Sequence, residues 1–101
     1  IFARAYRRGS RRRCGAVTVI VLDGETGETQ VGVVAGKRVG SAVARNRAKR
    51  RLREAASRCD LKPDTVYVLV AERGVLTAEF PRLVDWISGG VAASSATEET
   101  P

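Results

Sequence analysis

The sequence predicts one small α+β domain, and three observations carry that prediction. Residues 16–22, 30–36 and 65–71 are runs of strand length, rich in β-branched side chains. Between the second and third runs lies a long stretch of helical character, free of Gly and Pro from 41 to 58. A strand, a crossover helix and a further strand, in that order, place the last strand parallel to 30–36 or to its neighbour in one sheet. At 101 residues, 44% of them apolar, the chain supplies a single modest core.

In chain order, Phe-Ala-Arg-Ala-Tyr-Arg-Arg at 2–8 predicts a short helix stopped by Gly9. Phe2 and Tyr6 are four apart and share a face. Spacing puts Phe2 in the core. It leaves Tyr6 evenly placed between the core and the lip of a groove, where a ring can stack on bases. Ser-Arg-Arg-Arg-Cys at 10–14 reads as a basic connector. The strand 16–22 is apolar almost throughout, which predicts cover on both faces. Residues 23–29 form a turn, and 30–36 are expected to return antiparallel to the first strand. Pro63 ends the central helix. The strand 65–71 is of the buried kind. A second helix is expected over 77–87, with Pro81 in its first turn and Leu83, Val84, Trp86 and Ile87 on its packing face. Gly89-Gly90 should end it. The domain is then residues 1–90, and 91–101, small, polar and acidic, make a disordered tail. Helices are expected over one face of the sheet, with the other face an open floor.

The chain is organised around residues 37–58. Nine of them are Lys or Arg, and only Glu54 is acidic. Ser41 is a natural N-cap. At about 100° per residue, Ala44, Ala48, Leu52, Ala55, Ala56 and Cys59 share one arc. Asn46, Arg47, Lys49, Arg50, Arg51 and Arg53 fan over the rest. Arg45/Lys49/Arg53 and Arg47/Arg51 are like charges four apart, each pair costing an isolated helix about 0.2–0.5 kcal/mol. Such a helix makes sense when polyanion phosphates are its counter-ions.

The net charge of +7 conceals a strong asymmetry. Residues 1–13 carry six Arg and no acid, and 37–58 carry nine basic residues against one acid. The remainder holds three basic and ten acidic residues. The positive field is therefore two patches rather than a uniform coat. No apolar run approaches the ~20 residues of a membrane span, so no membrane partner is expected and the setting is expected to be cytoplasmic. Two cysteines, Cys14 and Cys59, are too few for a disulfide framework. The absence of histidine argues against zinc sites and against Ser–His or Cys–His catalysis. Because the chain begins at Ile1, a segment upstream of it is expected.

Val31-Gly32-Val33, followed by the run from Lys37 to Ala55, closely resembles the signature of the bacterial ribonuclease P protein subunit, in outline VGxxxxKKxGxAVxRNRxKRxxRE. Phe2, Tyr6 and Gly9 fit that family's first helix, and Ala71-Glu72-Arg73-Gly74 resembles its segment after the last strand. The likeness runs over about residues 2–87. There are departures: no basic segment stands before Phe2, Val34-Ala35-Gly36 replaces a Ser-rich stretch, and Ala56 stands where a Phe is common.

The resemblance implies a ribosomal-protein-like domain with helix-strand-strand-helix-strand-helix order and a left-handed β-α-β crossover. It implies a catalytic RNA as partner, and a holoenzyme that removes the 5′ leader from precursor tRNA with Mg²⁺ bound mainly by the RNA. The protein then carries no catalytic residue and no metal site of its own. It binds the leader and the catalytic RNA, raises Mg²⁺ affinity, and is expected to be monomeric. By position, Lys37, Arg38, Arg45, Asn46, Arg47, Lys49, Arg50 and Arg53 would face the catalytic RNA. Phe2, Tyr6, Val17 and Val19 would floor the leader groove. Two other readings stand beside this one. A general RNA-binding module would show no preference for the catalytic RNA, and a stand-alone metal nuclease would cut RNA by itself.

Overall fold

The computed structural model describes residues 10–99, with side chains described as far as residue 92. The expected helix at 2–8, with Phe2 and Tyr6, lies outside the described residues. Four strands form one mixed sheet: β1 (Ser10–Cys14), β2 (Val17–Asp23), β3 (Thr29–Ala35) and β4 (Thr65–Ala71). Two helices follow the third and fourth strands: α1 (Ala42–Ala56) and α2 (Phe80–Glu99).

The spatial order is β1-β2-β4-β3. β4 is antiparallel to β2 and parallel to β3, so β3–α1–β4 is the crossover unit that the sequence predicts. The return strand does not pair with its predecessor, however. β4 lies between β2 and β3. A two-residue turn would have forced adjacent pairing, but the five residues between β2 and β3 leave room for a strand. β4, apolar along its length and buried at six of its seven positions, takes that central place. Gly24 and Asp64 tie the corner, with the Gly24 amide donating to the Asp64 carbonyl at 2.9 Å.

The basic connector at 10–14 is instead an edge strand. It pairs antiparallel with β2 through a tight turn at Gly15, with Arg13 opposite Thr18 and Cys14 opposite Val17. Strand propensity in Ser-Arg-Arg-Arg-Cys is low, but an edge strand tolerates charge on its exposed side and is protected by it.

The two helices pack on one face of the sheet. Val17, Val19 and Val21 of β2, Val33 and Ala35 of β3, and Tyr67, Leu69 and Ala71 of β4 meet Ala48, Leu52, Ala55 and Ala56 of α1 and Leu83, Ile87 and Val91 of α2. The apolar arc predicted for α1 is therefore its packing face. Its small alanines let the helix lie close to the strands.

The second helix runs through Gly89 and Gly90 to Glu99, beyond the expected stop and through most of the expected tail. Gly90 is a packing residue. A Cβ there would stand 2.6 Å from Val19 Cγ2, so the missing side chain lets α2 approach β2. The opposite face is not an open floor along its whole length. Ile20, Leu22, Val66 and Val68 form a second buried cluster there, with half-buried Val34 and Val70 beside them.

Candidate nucleic-acid interface

The site is assembled from the end of the sheet and the helix that leaves it. After Ala35 the chain makes a short 3-10 turn over Lys37–Val39. The Val39 amide donates to the Gly36 carbonyl at 3.1 Å, and the Val39 side chain is buried. That anchor holds the turn, and Lys37 and Arg38 before it are exposed. Gly40 follows at φ 142°, a conformation open to glycine but rarely to other residues. Ser41 then caps α1, its hydroxyl accepting the Ala44 amide at 3.2 Å.

A groove of about 780 Å³ opens at this end of the sheet. Its floor is Thr18, Val34 and Val70, from the sheet face opposite the helices, and its rim carries Arg13, Lys37, Arg38 and Arg73. The one acid among the lining residues is Glu72, whose Oε2 lies 2.5 Å from Arg13 Nη2 in a partly exposed ion pair. An apolar floor with a cationic rim suits a single nucleic-acid strand: bases rest on the floor and phosphates meet the rim.

The cations of α1 divide into two sets. Asn46, Arg47, Arg50 and Arg53 are exposed, while Arg45 and Lys49 are half-buried at the edge of the packing face. Arg51 belongs to the fold. Its Nη2 donates to the Ala78 carbonyl and ties α1 to the segment before α2. The outward stripe Val43, Asn46, Arg47 and Arg50 follows the 3–4 residue spacing of one helix face. Val43, 79% exposed, is the only large apolar side chain among the described residues left so open.

The structure thus brings Lys37 and Arg38, in the turn before α1, to the groove rim. It moves two assignments. Val17 and Val19, expected to floor the groove, are wholly buried beneath the helices. Side chains alternate along a strand, so the groove face of β2 begins one residue over, at Thr18. Arg13 and Arg73 carry no site assignment from the sequence. The run Arg11-Arg12-Arg13 hides the alternation that would reveal a strand, and Arg73 becomes significant only when β4 ends beside β3.

Among the described residues, no helix is long and apolar enough to cross a membrane. No group of three His, Cys, Asp or Glu side chains is placed among them to hold a metal ion.

Fold and site together define a small basic α+β domain, with a cationic helix rooted beside a cation-rimmed groove. A model of the Ribonuclease P family matches residues 1–92. The ribonuclease P protein component of Symbiobacterium thermophilum is 39% identical over 85 residues, covering 81% of this chain and 74% of that protein. That of Caulobacter vibrioides is 43% identical over 70 residues, covering 66% of this chain and 47% of its own length, so the chain spans about half of that relative. Among solved structures, the RNase P protein of Thermotoga maritima superposes with a TM-score of 0.78 at 16% identity, covering 91% of this chain and 89% of that one. The Staphylococcus aureus RNase P protein gives 0.75 at 19%, covering 91% and 86%. The chain belongs to the ribonuclease P protein family.

Proposed function

We propose that this chain is the RNA-binding, non-catalytic protein subunit of a ribonuclease P, which helps a catalytic RNA remove the 5′ leader from precursor tRNA. The observation that carries the proposal is the contiguity of two differently built surfaces. One is a helix face dense in guanidinium groups, and the other is an apolar-floored groove that begins where that helix is rooted.

The helix face suits folded RNA. Arg45, Asn46, Arg47, Lys49, Arg50 and Arg53 present charge and hydrogen-bond donors along about two and a half turns. Guanidinium forks bind phosphate in bidentate fashion. Asn46 both donates and accepts, and so can meet a 2′-hydroxyl or a base edge. The groove suits the unpaired leader. Thr18, Val34 and Val70 offer bases a surface with little hydrogen-bonding demand, and Lys37, Arg38, Arg13 and Arg73 follow the backbone. A groove of this kind accepts many leader sequences.

Hydrolysis belongs to the RNA in this reading. In the same reading Mg²⁺ is held chiefly by that RNA. The protein raises metal affinity indirectly, by holding leader and catalytic RNA in one arrangement. It acts as a monomeric subunit in the cytoplasm.

The test is cleavage of precursor tRNA at low Mg²⁺ by catalytic RNA alone, by protein alone and by both. Cleavage by the mixture only is the expected result. Equal activity with and without protein, or cleavage by the protein alone, would overturn the proposal.

A further inference from the structure

A second recess lies on the flank of α1, away from the groove. It is lined by Arg50, Arg51, Glu54, Arg58 and Phe80 and holds about 350 Å³. Arg51 is committed to the Ala78 carbonyl and forms a wall. Arg58 is different. Its guanidinium carbon sits 5.0 Å from the centroid of the Phe80 ring, and its Nη2 lies 3.9 Å from Glu54 Oε1. Both side chains of that ion pair remain more than 60% exposed. A guanidinium held over an aromatic ring is a planar cationic platform with one face still open.

We propose that this recess binds one unstacked nucleotide of the partner RNA, whose base stacks on the open face of Arg58. Arg50, exposed at the mouth, takes the phosphate, and Glu54 accepts from a base N–H or the ribose 2′-hydroxyl. RNA that is read outside its helices offers such splayed nucleotides, and Arg planes and aromatic rings are what receive them. An RNA is favoured over an acidic peptide because the recess continues the cationic face. Arg47, Arg50, Glu54 and Arg58 follow one another at three- and four-residue steps along the same side of the chain. The proposal rests on the RNA-binding function proposed above.

The test measures binding of a bacterial ribonuclease P catalytic RNA to the protein across a KCl series, with Arg58→Ala, Arg58→Lys and Arg47→Ala variants. The Arg58 side chain is 62% exposed, and thermal unfolding of each variant verifies its fold. A stacked nucleotide predicts that Arg58→Lys keeps the salt slope but loses about 5- to 20-fold in affinity. Arg58→Ala should lose at least as much. One nucleotide of the RNA should be protected from 2′-hydroxyl acylation by the parent protein and exposed with either Arg58 variant. Full affinity in Arg58→Lys would overturn the stacking, leaving a solvated cation. Unchanged binding by both Arg58 variants, with Arg47→Ala weakened, would overturn the recess while leaving the RNA reading intact. Unchanged binding by all three would overturn both.

Discussion

The indole of Trp86 occupies the space in which a side chain on Gly15 would stand. A Cβ built on Gly15 would lie 2.0 Å from Trp86 Cε2, and Gly15 holds φ at 57°. The turn between the edge strand and β2 is thus clamped under α2, which fixes where β1 and Arg13 lie relative to the groove. Two costs combine in Gly15→Ala: about 1–2 kcal/mol for the left-handed backbone and about 1–3 kcal/mol for overpacking. Urea unfolding should show the loss. The Gly15→Ala, Trp86→Ala pair should be less than additive, because removing the indole relieves the clash.

The neighbouring glycines of α2 should respond in opposite directions. Gly90→Ala drives a methyl to within 2.6 Å of Val19 Cγ2 and should destabilise by about 1–3 kcal/mol. Gly89→Ala meets only Cys14 Sγ at 3.9 Å, an ordinary contact. It should stabilise by about 0.5–1 kcal/mol, through the lower entropy of the unfolded chain. Melting temperatures of the two variants decide this directly.

Adjacent arginines of α1 should separate stability from binding. Arg51→Ala leaves the Ala78 carbonyl without its donor and should cost about 1–3 kcal/mol in unfolding free energy. Arg47→Ala and Arg50→Ala should unfold within about 0.5 kcal/mol of the parent. Each should weaken catalytic-RNA binding and reduce the magnitude of the salt slope by close to one phosphate's worth, about 0.7–0.9.

The groove makes a prediction of the opposite sign. Glu72 neutralises Arg13 at the rim, and the exposed pair contributes only about 0–1 kcal/mol to the fold. Glu72→Gln should therefore leave stability unchanged and tighten binding of precursor tRNA with a long leader. Arg73→Ala should weaken that binding several-fold. Both effects should vanish when the leader is cut to one nucleotide, since in the proposed arrangement only the leader occupies the groove. Titration of the holoenzyme with long- and short-leader substrates tests both variants.

The sequence by itself determined the class of fold and the cationic helix. Runs such as Thr-Val-Tyr-Val-Leu-Val-Ala have strand periodicity and apolarity in any context, and Ser41 to Ala56 carries its own cap and apolar arc. These are local properties, set by neighbours within one or two turns or strand steps. The family signature over residues 31–56 was legible for the same reason, because its spacing is fixed along the chain.

Only the tertiary structure decided strand order, which face of β2 meets the groove, and which cations are free. β4 enters between β2 and β3 because burying its apolar length at the sheet centre outweighs pairing sequence neighbours. That choice brings Arg73 beside Lys37. Val19 faces the helix and Thr18 the groove because a one-residue step reverses a strand's face, and β2 is apolar on both sides. Gly89-Gly90 reads locally as a stop, yet Gly90 serves a contact with a strand seventy residues earlier. Arg51 and Arg50 are chemically identical in sequence. Only the carbonyl of Ala78, brought near by packing, removes one from the binding surface and leaves the other on it.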